Sequence, residues 1–307
     1  MALGFVFPGQ GSQSLGMLSS LAEVYPVVQQ TFAVASDVLG YDLWHLVQDG
    51  PEDKLNETQN TQPALLAASV ATWKVWNERQ GAQPVVMAGH SLGEYSALVC
   101  AGAMKFEDTV LLVSKRGEYM QEAVPAGKGA MAAILGLSDD QVKSACNDAA
   151  QGEVVSAVNF NSPGQVVIAG DTAAVDRAIA LCQEAGAKRA LKLAVSAPSH
   201  CQLMEPAAER LMARLQDVEI KAPSIPVINN VDVVAEDDPE KIRDALRRQL
   251  CNPVRWVETV TKMHADGVGR LVECGPGKVL VGLNKRIEKS MTALPIFSPE
   301  TIEEALK

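Results

Sequence analysis

Short apolar runs of strand length alternate along the chain with longer segments whose apolar residues recur at helical spacing. The runs that predict strands are 3–7, 85–88, 225–231 and 270–274. The segments that predict helices are 26–39, 63–80, 92–101, 107–123, 204–215, 242–250, 257–265 and 279–290. Because strands that alternate with helices build a mainly parallel sheet with helices on both faces, the pattern predicts an α/β fold.

The middle of the chain departs from this alternation. After Pro125-Ala126-Gly127-Lys128-Gly129, the pattern predicts a strand at 130–135, a helix at 138–149, strands at 154–160 and 165–169, a helix at 172–185 and a strand at 187–195. This βαββαβ order is typical of a ferredoxin-like unit. We therefore expect a small ferredoxin-like domain over 126–196, inserted into a large domain made of 1–125 and 197–307.

The stretch Gly89-His90-Ser91-Leu92-Gly93 has the form G-x-S-x-G and lies between a predicted strand and a predicted helix. A nucleophile elbow requires this context, because its sharp turn exposes a serine hydroxyl. We therefore predict that the large domain is α/β-hydrolase-like, that Ser91 is a nucleophile, and that the amide of Leu92 donates to the oxyanion. The alternative is a tight strand-to-helix turn whose serine only caps the helix.

The loop after the first predicted strand is Pro8-Gly9-Gln10-Gly11-Ser12-Gln13. Its Gly9-x-Gly11 resembles the start of a dinucleotide-binding fingerprint, but Ser14 occupies the position of the third glycine. A loop that leaves the first strand of an α/β sheet can instead supply a second oxyanion donor from its backbone. We predict that the amide of Gln10 is this donor.

Arg116 lies on an apolar helix face. Leu112, Val113, Gly117 and Met120 share that face at helical spacing, so the guanidinium is expected to point inward. A buried guanidinium is costly unless an anion meets it. The anion is either a distant carboxylate of the same chain, in a structural salt bridge, or a group of the substrate that accepts two parallel hydrogen bonds.

The chain has four histidines from which a base for the serine can come. His45 and His264 lie in predicted helices, and His90, adjacent to Ser91, is expected to project to the opposite side of the elbow. By elimination His200, in a predicted loop, is the base, the alternative being a solvent-exposed loop histidine. Because no acid between Ser91 and His200 lies on a suitable loop, we expect a backbone carbonyl to orient the imidazole.

Residues 159–164 are predicted to form a turn between the second and third strands of the small domain. Asn159 and Asn161 within it are candidates to reach a cleft shared by the two domains. Turn chemistry alone is the alternative explanation for both asparagines.

Composition restricts the possible partners. With 307 residues, of which 47% are hydrophobic and 21% charged, the chain has the composition of a globular protein, and no apolar run reaches the length of a membrane span. The net charge of −10 disfavours nonspecific binding to nucleic acid or to anionic membranes. Six scattered cysteines without a C-x-x-C pair favour the reducing cytoplasm and disfavour structural zinc.

Several strings spread over the chain carry a family resemblance. They are Pro8-Gly9-Gln10-Gly11-Ser12-Gln13, Thr61-Gln62-Pro63-Ala64, Gly89-His90-Ser91-Leu92-Gly93-Glu94, Arg116-Gly117, Pro198-Ser199-His200, and Gln249-Leu250 with Asn252-Pro253-Val254-Arg255-Trp256. In this order, from residue 5 to beyond residue 280, the chain resembles the malonyl-CoA:acyl-carrier-protein transacylases of dissociated bacterial fatty-acid synthesis.

The resemblance implies an activity and roles for three residues. Ser91 takes the malonyl group from malonyl-CoA and passes it to the phosphopantetheine thiol of holo acyl carrier protein. His200 is its base, and Arg116 clamps the free malonyl carboxylate. The resemblance thus implies two partners, malonyl-CoA and holo acyl carrier protein. It implies no metal and no bound cofactor.

The resemblance also implies the surroundings of the nucleophile. The amides of Gln10 and Leu92 bind the oxyanion, and the main-chain carbonyl of Gln249 holds His200. Cys251 is a departure, since relatives often have an aromatic residue there, and Ala197-Pro198-Ser199-His200 matches neither string of modular polyketide acyltransferases. We expect a free-standing enzyme of the fatty-acid type.

Other interpretations remain open at this point. They are a serine hydrolase or thioesterase, a free-standing polyketide acyltransferase, and a non-catalytic subunit that binds the carrier. Despite the negative net charge, an acidic carrier protein is expected to dock on a local basic cluster. The two candidate clusters are Lys188, Arg189 and Lys192, and Lys285, Arg286 and Lys289.

Overall fold

The computed structural model describes residues 2–125, 127–193 and 197–307. Its strands are β1 (Ala2–Phe7), β2 (Val86–Gly89), β3 (Gly129–Leu135), β4 (Val155–Ser162), β5 (Gln165–Asp171), β6 (Arg189–Lys192), β7 (Val227–Ile228), β8 (Val268–Cys274) and β9 (Thr292–Ile296). Its first seven helices are α1 (Ser19–Val24), α2 (Val27–Leu39), α3 (Leu43–Asp49), α4 (Glu52–Leu55), α5 (Thr58–Glu78), α6 (Gly93–Cys100) and α7 (Phe106–Ala123). The later helices are α8 (Asp139–Ala150), α9 (Thr172–Glu184), α10 (Glu205–Leu215), α11 (Pro239–Gln249), α12 (Trp256–Ala265), α13 (Val279–Ile287) and α14 (Pro299–Leu306), and Gln202–Met204 is one 3₁₀ turn.

Within the described residues, β1 is the centre of a five-stranded sheet in the order β7-β2-β1-β8-β9, and all its pairs are parallel. On one face, the ring of Phe5 packs edge-on against Trp73 and Trp76 of α5, at centroid distances of 5.2 and 5.3 Å. On the other face, Val6 packs with Trp256 of α12. The predicted parallel sheet with helices on both faces is confirmed.

A second, antiparallel sheet has the order β4-β5-β3-β6 in the described part of the chain. Helices α8 and α9 cover one face, where Ile134, Val142 and Val175 belong to one buried cluster. The predicted βαββαβ order is confirmed. The end of the predicted strand at 187–195 lies partly outside the described residues.

The two sheets are joined by backbone hydrogen bonds next to β4. The amide of Phe160 donates to the carbonyl of Val254 at 3.0 Å, and the amide of Val254 donates to the carbonyl of Val158 at 2.8 Å. These bonds attach the segment before α12 to an edge of the small sheet. One wall of the small domain is thereby held against the carboxyl ends of the parallel strands.

The predicted turn at 159–164 is wrong in extent. β4 continues to Ser162, because Asn159 and Phe160 pair with Val167 and Val166 of β5, so the turn is confined to residues 163–164. Asn159 and Asn161 therefore lie in a strand.

Helix α5 begins five residues before its predicted start at Pro63, which lies inside the helix. Its first turns carry polar residues such as Asn60 and Gln62, and these are buried, so apolar periodicity does not reveal them. The predicted strand at 225–231 is reduced to β7. The edge strand β9 was not predicted. It contains Pro295, and proline has no amide hydrogen, so it is tolerated in a strand only where no ladder hydrogen bond is needed.

Candidate active site

Ser91 occupies a strained turn between β2 and α6, with φ of 51°. A Cβ placed on Gly89 would lie 1.8 Å from the carbonyl carbon of Gly93, and one placed on Gly93 would lie 2.1 Å from the carbonyl oxygen of Phe7. No side chain fits at either position, so the two glycines let the helix start directly against the strands. This is the geometry of a nucleophile elbow.

Asn230, which the sequence did not single out, stabilises the elbow from the loop after β7. The amide of Ser91 donates to Asn230 Oδ1 at 2.7 Å, and Asn230 Nδ2 donates to the carbonyl of Gly89, also at 2.7 Å. One fully buried side chain thus satisfies the backbone on both sides of the strained residue. The available signal was a polar pair, Asn229-Asn230, at the carboxyl end of a predicted strand.

Ser91 and His200 form a hydrogen-bonded pair. Ser91 Oγ lies 2.8 Å from His200 Nε2, and His200 Nδ1 lies 2.7 Å from the carbonyl oxygen of Gln249. Because a carbonyl can only accept, Nδ1 carries the proton and Nε2 is free to accept from the serine hydroxyl. Burial, together with the positive charge of Arg116, lowers the pKa of His200 to about 3, so the imidazole is neutral near pH 7.

Arg116 of α7 lies fully buried beside this pair. Its Nη1 donates to Gln62 Oε1 at 2.8 Å, and its Nη2 donates to Gln249 Oε1 at 3.1 Å and to Ser91 Oγ at 3.4 Å. All three acceptors are neutral, and among the described residues no carboxylate oxygen lies within 4.0 Å of the guanidinium. The described residues therefore do not form the structural salt bridge that was the alternative at the sequence level.

The side chain of Gln249 connects the groups around the nucleophile. Its Nε2 donates to the carbonyl of Ser91 at 3.1 Å and to Glu94 Oε2 at 2.8 Å, and Glu94 is almost fully buried. Burial raises the pKa of Glu94 to about 7. Gln62 and Glu94 stand in the strings that carried the resemblance, but the sequence assigned neither of them a position in the site.

A cavity of about 380 Å³ opens over Ser91 and His200. Gln10, from the loop after β1, lines one side, and Met131 and Asn159 of the small sheet line the other. The site therefore lies between the two sheets, and the buried Arg116, which does not line the cavity, lies next to Ser91.

The sequence profile of the acyl transferase domain matches residues 4–300. The chain belongs to the acyl transferase family. This acyl transferase is 59% identical, over 303 residues, to the malonyl CoA-acyl carrier protein transacylase of Escherichia coli, a match that covers 99% of this chain and 98% of the relative.

Solved structures are equally similar to this acyl transferase. An acyl carrier protein S-malonyltransferase from Vibrio cholerae has 63% sequence identity and a TM-score of 0.97, covering 99% of each chain. A malonyl-transacylase in complex with its type II PKS acyl carrier protein has 59% identity and a TM-score of 0.99, covering 100% of this chain and 99% of that one.

The predicted oxyanion donors of the acyl transferase come from two places in the fold, the start of α6 and the loop after β1. Leu92 precedes the first turn of α6, where its amide directly follows the serine. Gln10 lines the cavity, and its side-chain Nε2 donates to Thr58 Oγ1 at 3.3 Å.

The two asparagines of β4 have different positions. Asn159 lines the cavity, and its buried Oδ1 has no hydrogen-bond partner among the described residues. Asn161 instead lies 2.8 Å, Oδ1 to Nε2, from His90.

His90, expected to project to the opposite side of the elbow, is among the residues that line the cavity over Ser91. Its ring packs against Trp256 at a centroid distance of 5.5 Å, and its Nε2 lies 2.8 Å from Asn161 Oδ1.

Two further searches concern metals and membranes. In the residues that the structure describes, no group of three or more His, Cys, Asp or Glu side chains is arranged to hold a metal ion. None of the described helices combines the length and the apolar character that a membrane crossing requires.

Proposed function

We propose that this acyl transferase moves a malonyl group from malonyl-CoA to the phosphopantetheine thiol of an acyl carrier protein, through a malonyl ester on Ser91. The names of the similar proteins support this reaction. The observation that carries the proposal is the buried Arg116, whose Nη2 lies 3.4 Å from Ser91 Oγ. The reaction supplies malonyl groups for the elongation of fatty-acid chains.

In the first half-reaction, Ser91 Oγ attacks the thioester carbonyl while His200 Nε2 takes the hydroxyl proton. The tetrahedral oxyanion is held by the amides of Gln10 and Leu92. The carbon–sulfur bond then breaks, and coenzyme A leaves as a thiol with the proton that His200 returns. The carbonyl of Gln249 keeps the imidazole in the required tautomer throughout.

The second half-reaction repeats these steps in reverse order. His200 takes the proton of the phosphopantetheine thiol, and the thiolate attacks the carbonyl of the malonyl ester. Ser91 leaves with the proton from His200, and the malonyl thioester of the carrier is released. Because His200 is the proton carrier in both exchanges, the proposed reaction requires neither a metal nor a bound cofactor.

Arg116 selects the acyl group in this proposal. One methylene separates the carboxylate of a malonyl group from its thioester carbonyl, so a cation that binds this carboxylate must lie within a few ångströms of the nucleophile. A planar guanidinium offers two parallel hydrogen bonds to the carboxylate. An acetyl group leaves the buried charge unpaired and is therefore a poor substrate.

A serine hydrolase or thioesterase is not favoured. Hydrolases of this fold orient the histidine with an acid, whereas Nδ1 of His200 faces a carbonyl oxygen. A free-standing polyketide acyltransferase would carry out the same malonyl transfer on a polyketide carrier, and the relatives at 59% identity include a transacylase solved with a type II PKS acyl carrier protein. We assign the enzyme to the cytoplasm, with which six unpaired cysteines are compatible.

We propose the cluster on β6 as the docking surface for the carrier. Lys188 and Arg189 are exposed there, and Leu193, just beyond β6, lines the mouth of the cavity. Charge reversal of Lys188 and Arg189 is expected to raise the apparent KM for the carrier at least tenfold without changing that for malonyl-CoA. The matched control is reversal of Lys285 and Arg286, and an equal effect of that control contradicts this assignment.

The experiment that tests the function is intact mass spectrometry. Mixing the enzyme with malonyl-CoA is expected to give one malonyl adduct, located on Ser91, that holo acyl carrier protein then removes. The Ser91→Ala variant is the control. Absence of the adduct on the unsubstituted enzyme, or release of free malonate without transfer, rejects the transacylase in favour of no activity or of a hydrolase.

A further inference from the structure

Arg116 is buried without a carboxylate in direct contact, although an unbalanced interior cation is costly. A carboxylate lies one amide away. Gln249 accepts from Arg116 Nη2 at 3.1 Å through Oε1 and donates to Glu94 Oε2 at 2.8 Å through Nε2. The three side chains form a buried cation–amide–carboxylate chain that ends beside the nucleophile.

The interposed amide matters for substrate binding. A carboxylate in direct contact with the guanidinium would have to be displaced by the incoming acyl group, whereas one held at the far side of an amide attracts the cation more weakly. The Nε of the guanidinium has no hydrogen-bond partner among the described residues, and the ring centroid of Tyr95 lies 5.4 Å from the guanidinium carbon. Glu94 is therefore placed to offset the charge of Arg116 without occupying its binding face.

We propose that Glu94 is the resident counter-ion of Arg116, and that it binds a proton from solvent more strongly when a malonyl carboxylate binds the guanidinium. This inference rests on the proposed function. A second anion at the same cation removes the stabilisation that kept Glu94 ionised, since two carboxylates then share one positive charge. An acetyl group brings no anion and causes no uptake.

The surroundings of Glu94 favour such a change. Burial raises its pKa to about 7, against the lowering effects of Arg116 and of hydrogen bonds from Asn230 and Gln249, and Asp232 raises it further. Both hydrogen bonds end on Oε2, so a proton on Oε1 leaves them intact. His200 does not compete for the proton near neutral pH, because its pKa of about 3 is far too low.

A small cavity of about 10 Å³ lies beside Glu94, large enough for at most one water, and is also lined by Asn229 and Glu236. Asn229 Nδ2 is buried and without a hydrogen-bond partner in the described structure, which suits a bridging water. The side chain of Glu236, 23% exposed, forms the outer wall, where Lys241 lies 3.5 Å away.

Calorimetry tests the proposal. The Ser91→Ala variant binds malonyl-CoA without reacting, and titration in buffers of different ionisation enthalpy counts the protons taken up. Because the pKa of Glu94 is already raised to about 7 and a bound carboxylate raises it further, we expect partial proton uptake on binding of malonyl-CoA at pH 7.5, and smaller uptake at pH 6, where Glu94 is already mostly protonated.

Three controls isolate Glu94. Acetyl-CoA carries the same nucleotide without the carboxylate, so its binding is expected to take up no additional proton. Adding Glu94→Gln to Ser91→Ala keeps the acceptor for both hydrogen bonds and is expected to abolish the uptake. Adding Glu273→Gln removes another buried carboxyl, whose pKa is also raised to about 7 but which binds the amides of α13, and is expected to leave the uptake unchanged.

Each outcome decides the matter. Equal uptake with acetyl-CoA, or uptake that persists after Glu94→Gln, overturns the proposal. If Glu94→Gln does not fold, the pH dependence in Ser91→Ala alone remains decisive, because uptake that does not fall between pH 7.5 and pH 6 assigns the proton elsewhere. A failure of the proposed function is seen separately, as the absence of a malonyl adduct on Ser91 of the unsubstituted enzyme.

Discussion

Replacement of Arg116 by alanine is the most direct perturbation of the site. The guanidinium donates to Gln62 and Gln249 and faces Ser91 at 3.4 Å, so a malonyl carboxylate at this point is expected to accept two charge-assisted hydrogen bonds. Such bonds contribute about 1.5–3 kcal/mol each. Two of them amount to about 3–6 kcal/mol, which corresponds to a loss of about 10²- to 10⁴-fold in kcat/KM for malonyl-CoA.

The acetyl reaction provides the reference. An acetyl group makes neither bond, and in the alanine variant it no longer leaves a buried charge unpaired, so kcat/KM for acetyl-CoA is expected to stay level or rise. Arg116→Lys keeps a charge but not the planar pair of donors, and its malonyl activity is expected to be intermediate. The assay is transfer of labelled acyl groups to holo carrier at limiting acyl-CoA. An unchanged malonyl-to-acetyl ratio in Arg116→Ala refutes the reasoning.

Three further predictions concern the elbow and the base. Asn230→Ala removes two 2.7 Å hydrogen bonds and is expected to lower the free energy of unfolding by about 1–3 kcal/mol for each backbone group left unsatisfied. It is also expected to reduce kcat. An unchanged kcat together with unchanged urea unfolding would contradict the role of Asn230. Gly93→Ala places a Cβ 2.1 Å from a backbone oxygen and is expected to yield little folded protein. Gly282→Ala is the control and is expected to fold, because a Cβ at Gly282 would have no heavy atom within 4 Å. Circular dichroism compares the folded content of the two variants. His200 is expected to remain neutral down to about pH 4, since burial and then Arg116 lower its pKa to about 3; an NMR titration midpoint near 6.5 would rule this out.

Much of the architecture could be predicted because it is encoded locally. The G-x-S-x-G string with a strand before it and a helix after it predicts an elbow, since the steric demand at Gly89 comes from Gly93 and Glu94, which follow it closely along the chain. The βαββαβ order could also be predicted, because the periodicity of strands and helices involves residues that are close together along the chain. One error arose in the first turns of α5, where the buried residues are polar and apolar periodicity does not reveal the helix. Another arose at Asn159, where pairing with β5 extends the strand into residues that are typical of a turn.

The residues that surround Ser91 illustrate the opposite case. Asn230 is 139 positions from Ser91 along the chain, and Glu94 is 155 positions from Gln249, yet each pair is hydrogen-bonded. Spacing along the chain carries no information about such contacts, because they form only when the parallel strands and the helices that follow them have assembled.

The amino-acid sequence by itself therefore determined the class of fold, the elbow at Ser91 and the inward direction of Arg116, because each follows from a local motif or from the periodicity of strands and helices. Only the tertiary structure decided what Arg116 meets. Tertiary packing places a neutral amide against the guanidinium and a carboxylate beyond it, at distances that no local pattern along the chain specifies.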